Sequence, residues 1–393
     1  MIRTLALLAT LFSGAELPAP TGPWPVGTTV AYLVDASRKD REFPDGRPIT
    51  LQLWYPVDAT QSSVPTAPYL VEHGLADALA SQGYYGVESA TLAGWSNLAT
   101  HSHVDAKPLD GRRPLATFSV GLGVLRANYT TIAEELASQG YVFALVESPL
   151  AGCMMRPDGK LVQETTNRLD DPAEHRAAID AWTLDVRFVL DRLAAKEGAS
   201  ILSAVGATID WKRVAAIGHS SGGLVALQLA GVDERVRAAV DLDGGLVTPD
   251  REPLARCAAD GAKRPSLLLR SKPLYDDADF ARRGITREDW EKRGAPAKAA
   301  FEAFSAASKA PFVVAAVAGT GHLSFSDAPF VMPDTITRFG GKPIDPARGR
   351  WEITTAVRTF LEDAFADRAG GAFTAALKDL PEIEIQLRSA SMK

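Results

Sequence analysis

Apolar and polar positions follow two regimes along this 393-residue chain. From Pro114 onward, short uniformly apolar runs alternate with stretches whose apolar residues recur at helical spacing. The runs read as buried strands and the spaced stretches as amphipathic helices. Strands are predicted over residues 115–120, 141–147, 214–218, 236–242, 266–269 and 312–318. Helices are predicted over 129–139, 173–196, 222–230 and 351–365, with a polar loop over 148–170. Strands that alternate with helices and are apolar on both sides call for a mostly parallel sheet covered on both faces, an α/β architecture.

The N-terminal part is less regular. Two segments, 28–36 and 49–57, are rich in β-branched and aromatic residues and read as an antiparallel start to the sheet. Residues 58–113 interleave Gly, Ser, His and Pro with short apolar pieces, which predicts a long surface excursion with a helix near 75–82. Residues 276–304 mix charges with Phe280, Trp290, Phe301 and Phe304 and read as two helices inserted before the last strand, suited to an amphipathic cover. No repeat or low-complexity linker divides the chain, so residues 16–393 are expected to form one catalytic domain.

Composition narrows the function classes. The net charge of −6 carries no Lys- or Arg-rich block, so a nucleic-acid partner is not expected. Met1-Ile2-Arg3, an apolar run from Leu5 to Phe12 and Ser13-Gly14-Ala15 have the order of a secretory signal, with cleavage after Ala15. The run is too short to span a bilayer, and no transmembrane segment is expected in the exported chain. Of the two cysteines, Cys153 and Cys257, the sequence says only that they could pair in an oxidising compartment or remain buried thiols.

The chemistry is carried by Gly218-His219-Ser220-Ser221-Gly222-Gly223, placed between a predicted strand and a predicted helix. A G-x-S-x-G turn in that context lifts its serine above the sheet edge as a nucleophile. A serine hydroxyl needs a base within hydrogen-bond reach. Where the order along the chain is nucleophile, acid, base, only His322 qualifies, because the other five histidines are His219 or lie before it. The acid should end a strand between the two. Asp243 is preferred, and Asp276 or Asp277 after the next strand remains open. Oxyanion donors are expected from the N–H groups of Ser221 and Leu122, the latter flanked by Gly121 and Gly123. That Gly-Leu-Gly is no dinucleotide fingerprint, since Arg126 stands where a third glycine belongs. His101 and His103 lie in a predicted loop without an evident third ligand, so neither a metal nor a cofactor is expected.

Several segments together resemble the platelet-activating factor acetylhydrolase family. These are Phe118-Ser119-Val120-Gly121-Leu122-Gly123 with Tyr129, Leu136-Ala137-Ser138-Gln139-Gly140-Tyr141, the Ser220 turn, Leu242-Asp243, and His322 with Phe325 and Asp327. The helix segment Asp185-Val186-Arg187-Phe188-Val189-Leu190-Asp191 is also similar to bacterial members, and Leu53-Trp54-Tyr55-Pro56 is a weaker echo. The likeness spans residues 114–327. It implies an α/β-hydrolase fold, a triad of Ser220, Asp243 and His322, oxyanion donors at Leu122 and Ser221, and no metal requirement. Two departures are Val120-Gly121, where many members have His-Gly, and the length of 276–304. The activity this implies is a serine carboxylic-ester hydrolase of short or truncated acyl esters, small-molecule or lipid, with phospholipids among the candidates. A polyester or dienelactone hydrolase is the alternative, and a non-catalytic binding protein of the same fold is a second.

Overall fold

A computed structural model describes residues 16–39, 41–163, 171–196, 200–247, 252–333, 342–368 and 371–389. The predicted export signal, residues 1–15, lies outside them. The strands are β1 (Val26–Asp35), β2 (Arg47–Pro56), β3 (Thr66–Pro68), β4 (Ala99–Val104), β5 (Arg113–Ser119) and β6 (Val142–Glu147). Then come β7 (Cys153–Met155), β8 (Leu161–Gln163), β9 (Ile209–His219), β10 (Val236–Leu242), β11 (Ser266–Lys272), β12 (Phe312–Ala318) and β13 (Ile383–Arg388). Eleven of them form one sheet in the order β13-β12-β11-β10-β9-β5-β6-β2-β1-β4-β3. The six central strands, β6 to β12 in that order, are mutually parallel.

Helices cover both faces of the sheet. On one side lie α1 (Thr130–Ser138) and α6 (Pro346–Phe365), which also touch each other; on the other lie α2 (Pro172–Ala195) and α3 (Ser221–Val232). The strand cores explain why. Residues 214–219 of β9 and 238–242 of β10 are wholly buried, so neither face of the sheet can be left to water. The start of α2 is set by Asp171, whose side chain accepts from the N–H of Ala173, with Pro172 opening the helix. Asp185, fully buried on α2, ties that helix to β2 through a bidentate pair with Arg47 at 2.7 and 3.0 Å. Arg38 makes a second ion pair with Asp185 at 2.6 Å, so two guanidinium groups hold the buried carboxylate.

Three sequence expectations need correction. The excursion over 58–113 does not stay on the surface: β4 pairs parallel with β1 and β3 pairs with β4, extending the sheet at that edge. His101 and His103 are therefore on a strand, not in a loop, and their rings contact the carbonyl oxygens of Leu17 and Val64. The segment 148–170 contains a hairpin, β7 with β8, where only a loop was expected. β13, unassigned from sequence, pairs antiparallel with β12. Cys153 and Cys257 are both buried thiols. Among the described residues no helix is long and apolar enough to cross a membrane.

Candidate active site

The turn that carries Ser220 is built by close backbone approach. A Cβ on Gly218 would lie 2.0 Å from the carbonyl oxygen of Gly222, and one on Gly222 would lie 2.1 Å from that of Ser119. Real Cβ atoms do not come that near, so both positions demand glycine. Between them Ser220 takes φ 55°, ψ −125°, a sparsely populated conformation for a residue with a side chain. Its N–H donates to the carbonyl of Leu242 at 2.8 Å, pinning the turn to the end of β10. The strain is the means by which the side chain is held clear of the strand.

Asp243 follows directly, also at positive φ (59°). Its Oδ2 lies 2.8 Å from Nδ1 of His322, and its Oδ1 accepts the N–H of Ser271 at 2.8 Å. Burial alone would raise the pKa of this carboxyl. The Arg270 guanidinium, 3.5 Å away, and the hydrogen bonds from His322 and Ser271 outweigh it and hold the group well below the usual carboxylate range. A depressed folded-state pKa means that its ionisation stabilises the fold above the ordinary carboxylate range, and that this contribution is lost as pH falls. His322 sits on the loop after β12 with its ring about half exposed. No hydrogen bond joins Ser220 Oγ to His322 among the described residues. The ring of His219, the residue before Ser220, has its centroid 4.6 Å from that of His322.

The other carboxylates have different work. Asp276 caps the helix α4 (Asp277–Arg283), accepting the N–H of Asp279 at 2.8 Å in a reciprocal capping box. Asp277 is on that helix's first turn, with Arg287 at 3.3 Å. Asp241, buried beneath Asp243, accepts the N–H of Gly244 at 2.7 Å, and burial raises its pKa to about 7. Of the acids weighed from sequence, Asp243 alone contacts His322.

On the opposite wall, the N–H of Gly121 donates to Tyr129 at 2.9 Å and that of Gly123 to the carbonyl of Ala151 at 2.6 Å. The N–H of Leu122, between them, has no acceptor among the described residues. Ser221 opens α3, and its hydroxyl lies 3.1 Å from Nε2 of the buried His175. Arg270 and His175 were not singled out from sequence. Arg270 merely ends an apolar run, and His175 is one polar residue on an amphipathic helix; neither pattern names its partner. Among the described residues, no group of three or more His, Cys, Asp or Glu side chains is arranged to hold a metal ion.

A family model described as "Alpha/beta hydrolase family" matches residues 121–371, well over half of the chain. This chain belongs to the alpha/beta hydrolase family. Within that family it is platelet-activating factor acetylhydrolase-like: the model "Platelet-activating factor acetylhydrolase, isoform II" matches residues 9–150 of this alpha/beta hydrolase. It is 28% identical to the platelet-activating factor acetylhydrolase of Cavia porcellus, over 60% of this chain and 57% of that protein. It is 23% identical to the protein of the same name from Gallus gallus, over 83% of this chain and 78% of that one. Among solved structures, a ferulic acid esterase from Streptomyces cinnamoneus superposes with a TM-score of 0.73 and 27% identity, over 95% of this chain and all of that one. These relatives are all named as acetylhydrolases or esterases, so cleavage of carboxylic esters is their common ground.

Proposed function

We propose that this alpha/beta hydrolase is a serine carboxylic-ester hydrolase in which Ser220 attacks, His322 accepts its proton and Asp243 holds the imidazole. The observation that carries the reading is the Asp243–His322 hydrogen bond, 2.8 Å long, beside a serine held in a strained turn. Asp243 takes up the Nδ1–H of His322, which leaves Nε2 unprotonated toward the nucleophile. Attack of Ser220 Oγ on the ester carbonyl forms an acyl-enzyme and releases the alcohol; water, activated by the same imidazole, then frees the acid. The N–H groups of Leu122 and Ser221 stabilise the oxyanion of each tetrahedral intermediate.

The substrates are esters of short or truncated acyl chains, and the named relatives bring phospholipids within range. A second reading, an aromatic acyl group, is favoured by the ferulic acid esterase match and by Tyr85. That residue is partly exposed, and its hydroxyl would lie 3.6 Å from a Cβ at Gly123 in the oxyanion loop. The Arg3-led apolar run at residues 5–12 supports export. Hydrolysis rates on p-nitrophenyl esters of graded length, methyl ferulate and a 2-acetyl phospholipid separate these readings. Cleavage of none of them would refute the proposal. Because Asp243 stays ionised as pH falls, its own protonation should not be the cause of a loss of rate toward acid. A kcat/KM profile that stays flat from neutral pH to about pH 4 would exclude a histidine base.

In the insert, α4 and α5 (Arg287–Ala307), one contact supports the reading as a cover, that of Phe301 with Arg270. Phe304 is buried against Phe312 of β12, whereas Trp290 is exposed and stacks edge-on with Tyr275. Phe301 lies under the Arg270 guanidinium at 5.1 Å, one residue removed from the acid. Trp290→Ala or Phe301→Ala should therefore change the preference among acyl lengths by roughly ten- to a few hundred-fold, more than the rate on the shortest ester. Equal loss on all esters together with a lower Tm would mean that the insert is only structural.

A further inference from the structure

His219 and Tyr129 take no part in the bond changes of the proposed reaction, yet both are completely buried against the groups that do. Nε2 of His219 lies 2.9 Å from the carbonyl oxygen of His322, and Nδ1 lies 2.9 Å from the Tyr129 hydroxyl. The same hydroxyl lies 2.9 Å from the N–H of Gly121. The direction of every hydrogen bond follows from these three contacts together with the charge state of the His219 ring. A carbonyl can only accept, so Nε2 carries the proton. Burial, and next the charge His322 would carry, lower the pKa of His219 to about 3; the ring is neutral and Nδ1 is a bare acceptor. Tyr129 therefore donates to Nδ1, and its oxygen accepts from Gly121. The result is one directed chain from the Gly121 N–H to the His322 carbonyl, with each group used in the only sense open to it.

We propose that Tyr129 and His219 are positioning residues that hold the loop bearing the Leu122 N–H and the loop bearing the His322 imidazole in one frame across Ser220. The inference rests on the serine-hydrolase reading and adds to it how the two loops are registered. On one side, the anchored peptides of Gly121 and Gly123 leave the N–H of Leu122 as the uncommitted donor between them. A Cβ at Gly121 would lie 2.9 Å from Nδ1 of His219 and 3.3 Å from Cβ of Ser220, so the loop rests directly on the nucleophile turn. On the other side, the bond to His219 is made by the backbone of His322, from which the imidazole projects. Displacing a reacting group by about 1 Å can cost roughly a hundred-fold in rate, so such registration has kinetic weight.

Tyr129→Phe in the full chain removes the hydroxyl and keeps the ring, which packs on Phe118 at 4.7 Å. The expected result is a roughly 10- to 100-fold lower kcat on p-nitrophenyl butyrate with KM unchanged within about two-fold, since oxyanion and base geometry matter in the transition state. Fluorophosphonate should still label Ser220 to full stoichiometry, but more slowly. His219→Asn should give a similar loss, and the double variant should be no worse than the poorer single one, because a broken chain cannot be broken again. A kcat within two-fold of the parent, or losses that multiply and follow Tm, would overturn the proposal. Should the variants not fold, ¹⁵N NMR of the parent decides: His219 is expected as the neutral Nε2–H tautomer, and an Nδ1–H or charged ring would overturn the chain. If the parent itself is not labelled at Ser220, it is the serine-hydrolase reading that fails. If the parent is labelled and Tyr129→Phe behaves like it, only the positioning role fails.

Discussion

Ser220→Ala is expected to lower kcat on p-nitrophenyl esters by on the order of a million-fold while leaving the fold intact. The substitution deletes one hydroxyl that makes no hydrogen bond among the described residues, so little packing is lost. The turn itself does not depend on that hydroxyl. It is held by the Ser220 N–H to Leu242, by the Gly223 N–H to the Ser220 carbonyl at 2.9 Å, and by the tight contacts at Gly218 and Gly222. Alanine at φ 55° bears the same backbone strain as serine, so Tm should stay near that of the parent. Fluorophosphonate should label the parent and not the variant. A variant that keeps more than a few per cent of the parental rate would remove Ser220 from the mechanism.

Asp243→Asn should cost on the order of ten-thousand-fold, for a reason visible in the two bonds this carboxylate makes. Oδ1 is committed to the Ser271 N–H, so the asparagine oxygen keeps that place and its amide nitrogen faces His322. An N–H donor opposite Nδ1 forces the imidazole into the tautomer protonated at Nε2, which cannot accept the serine proton. The residual activity should come from the oxyanion donors alone. Asp276→Asn, in contrast, replaces one good N-cap by another and should leave the rate near parental. Measuring kcat/KM for both variants tests the assignment: a severe loss at Asp276 with a mild one at Asp243 would move the acid to the end of β11.

Legibility of the fold follows from how local each signal is. β10 and β12 are predicted at their observed bounds and β9 in its buried second half, because burial on both faces makes the stretches 214–218, 238–240 and 312–317 apolar throughout. β13 reads Ile-Glu-Ile-Gln-Leu-Arg, alternating as a half-buried edge strand should, but six residues of alternation say nothing about which strand they join. β3 and β4 were missed for the opposite reason. β3 is three residues long and ends in proline, and β4 carries two histidines and a serine, so neither shows apolar periodicity.

The candidate site divides along the same line. The sequence by itself determined which serine stands in a glycine-flanked turn between strand and helix and which histidine follows it, the two residues proposed as nucleophile and base. The first is defined by glycines two residues away on either side, and the second by being the only histidine after it. Both are properties of the chain read in order. The tertiary structure decided the rest: that Asp243 rather than Asp276 meets His322, that Arg270 keeps it ionised, and that Tyr129 and His219 connect the two loops. A hydrogen bond depends on distances of a few tenths of an ångström between residues separated by 79, 90 or 103 positions. No local pattern of residue types encodes such a distance; it exists only once the parallel strands have brought their C-terminal ends to one edge.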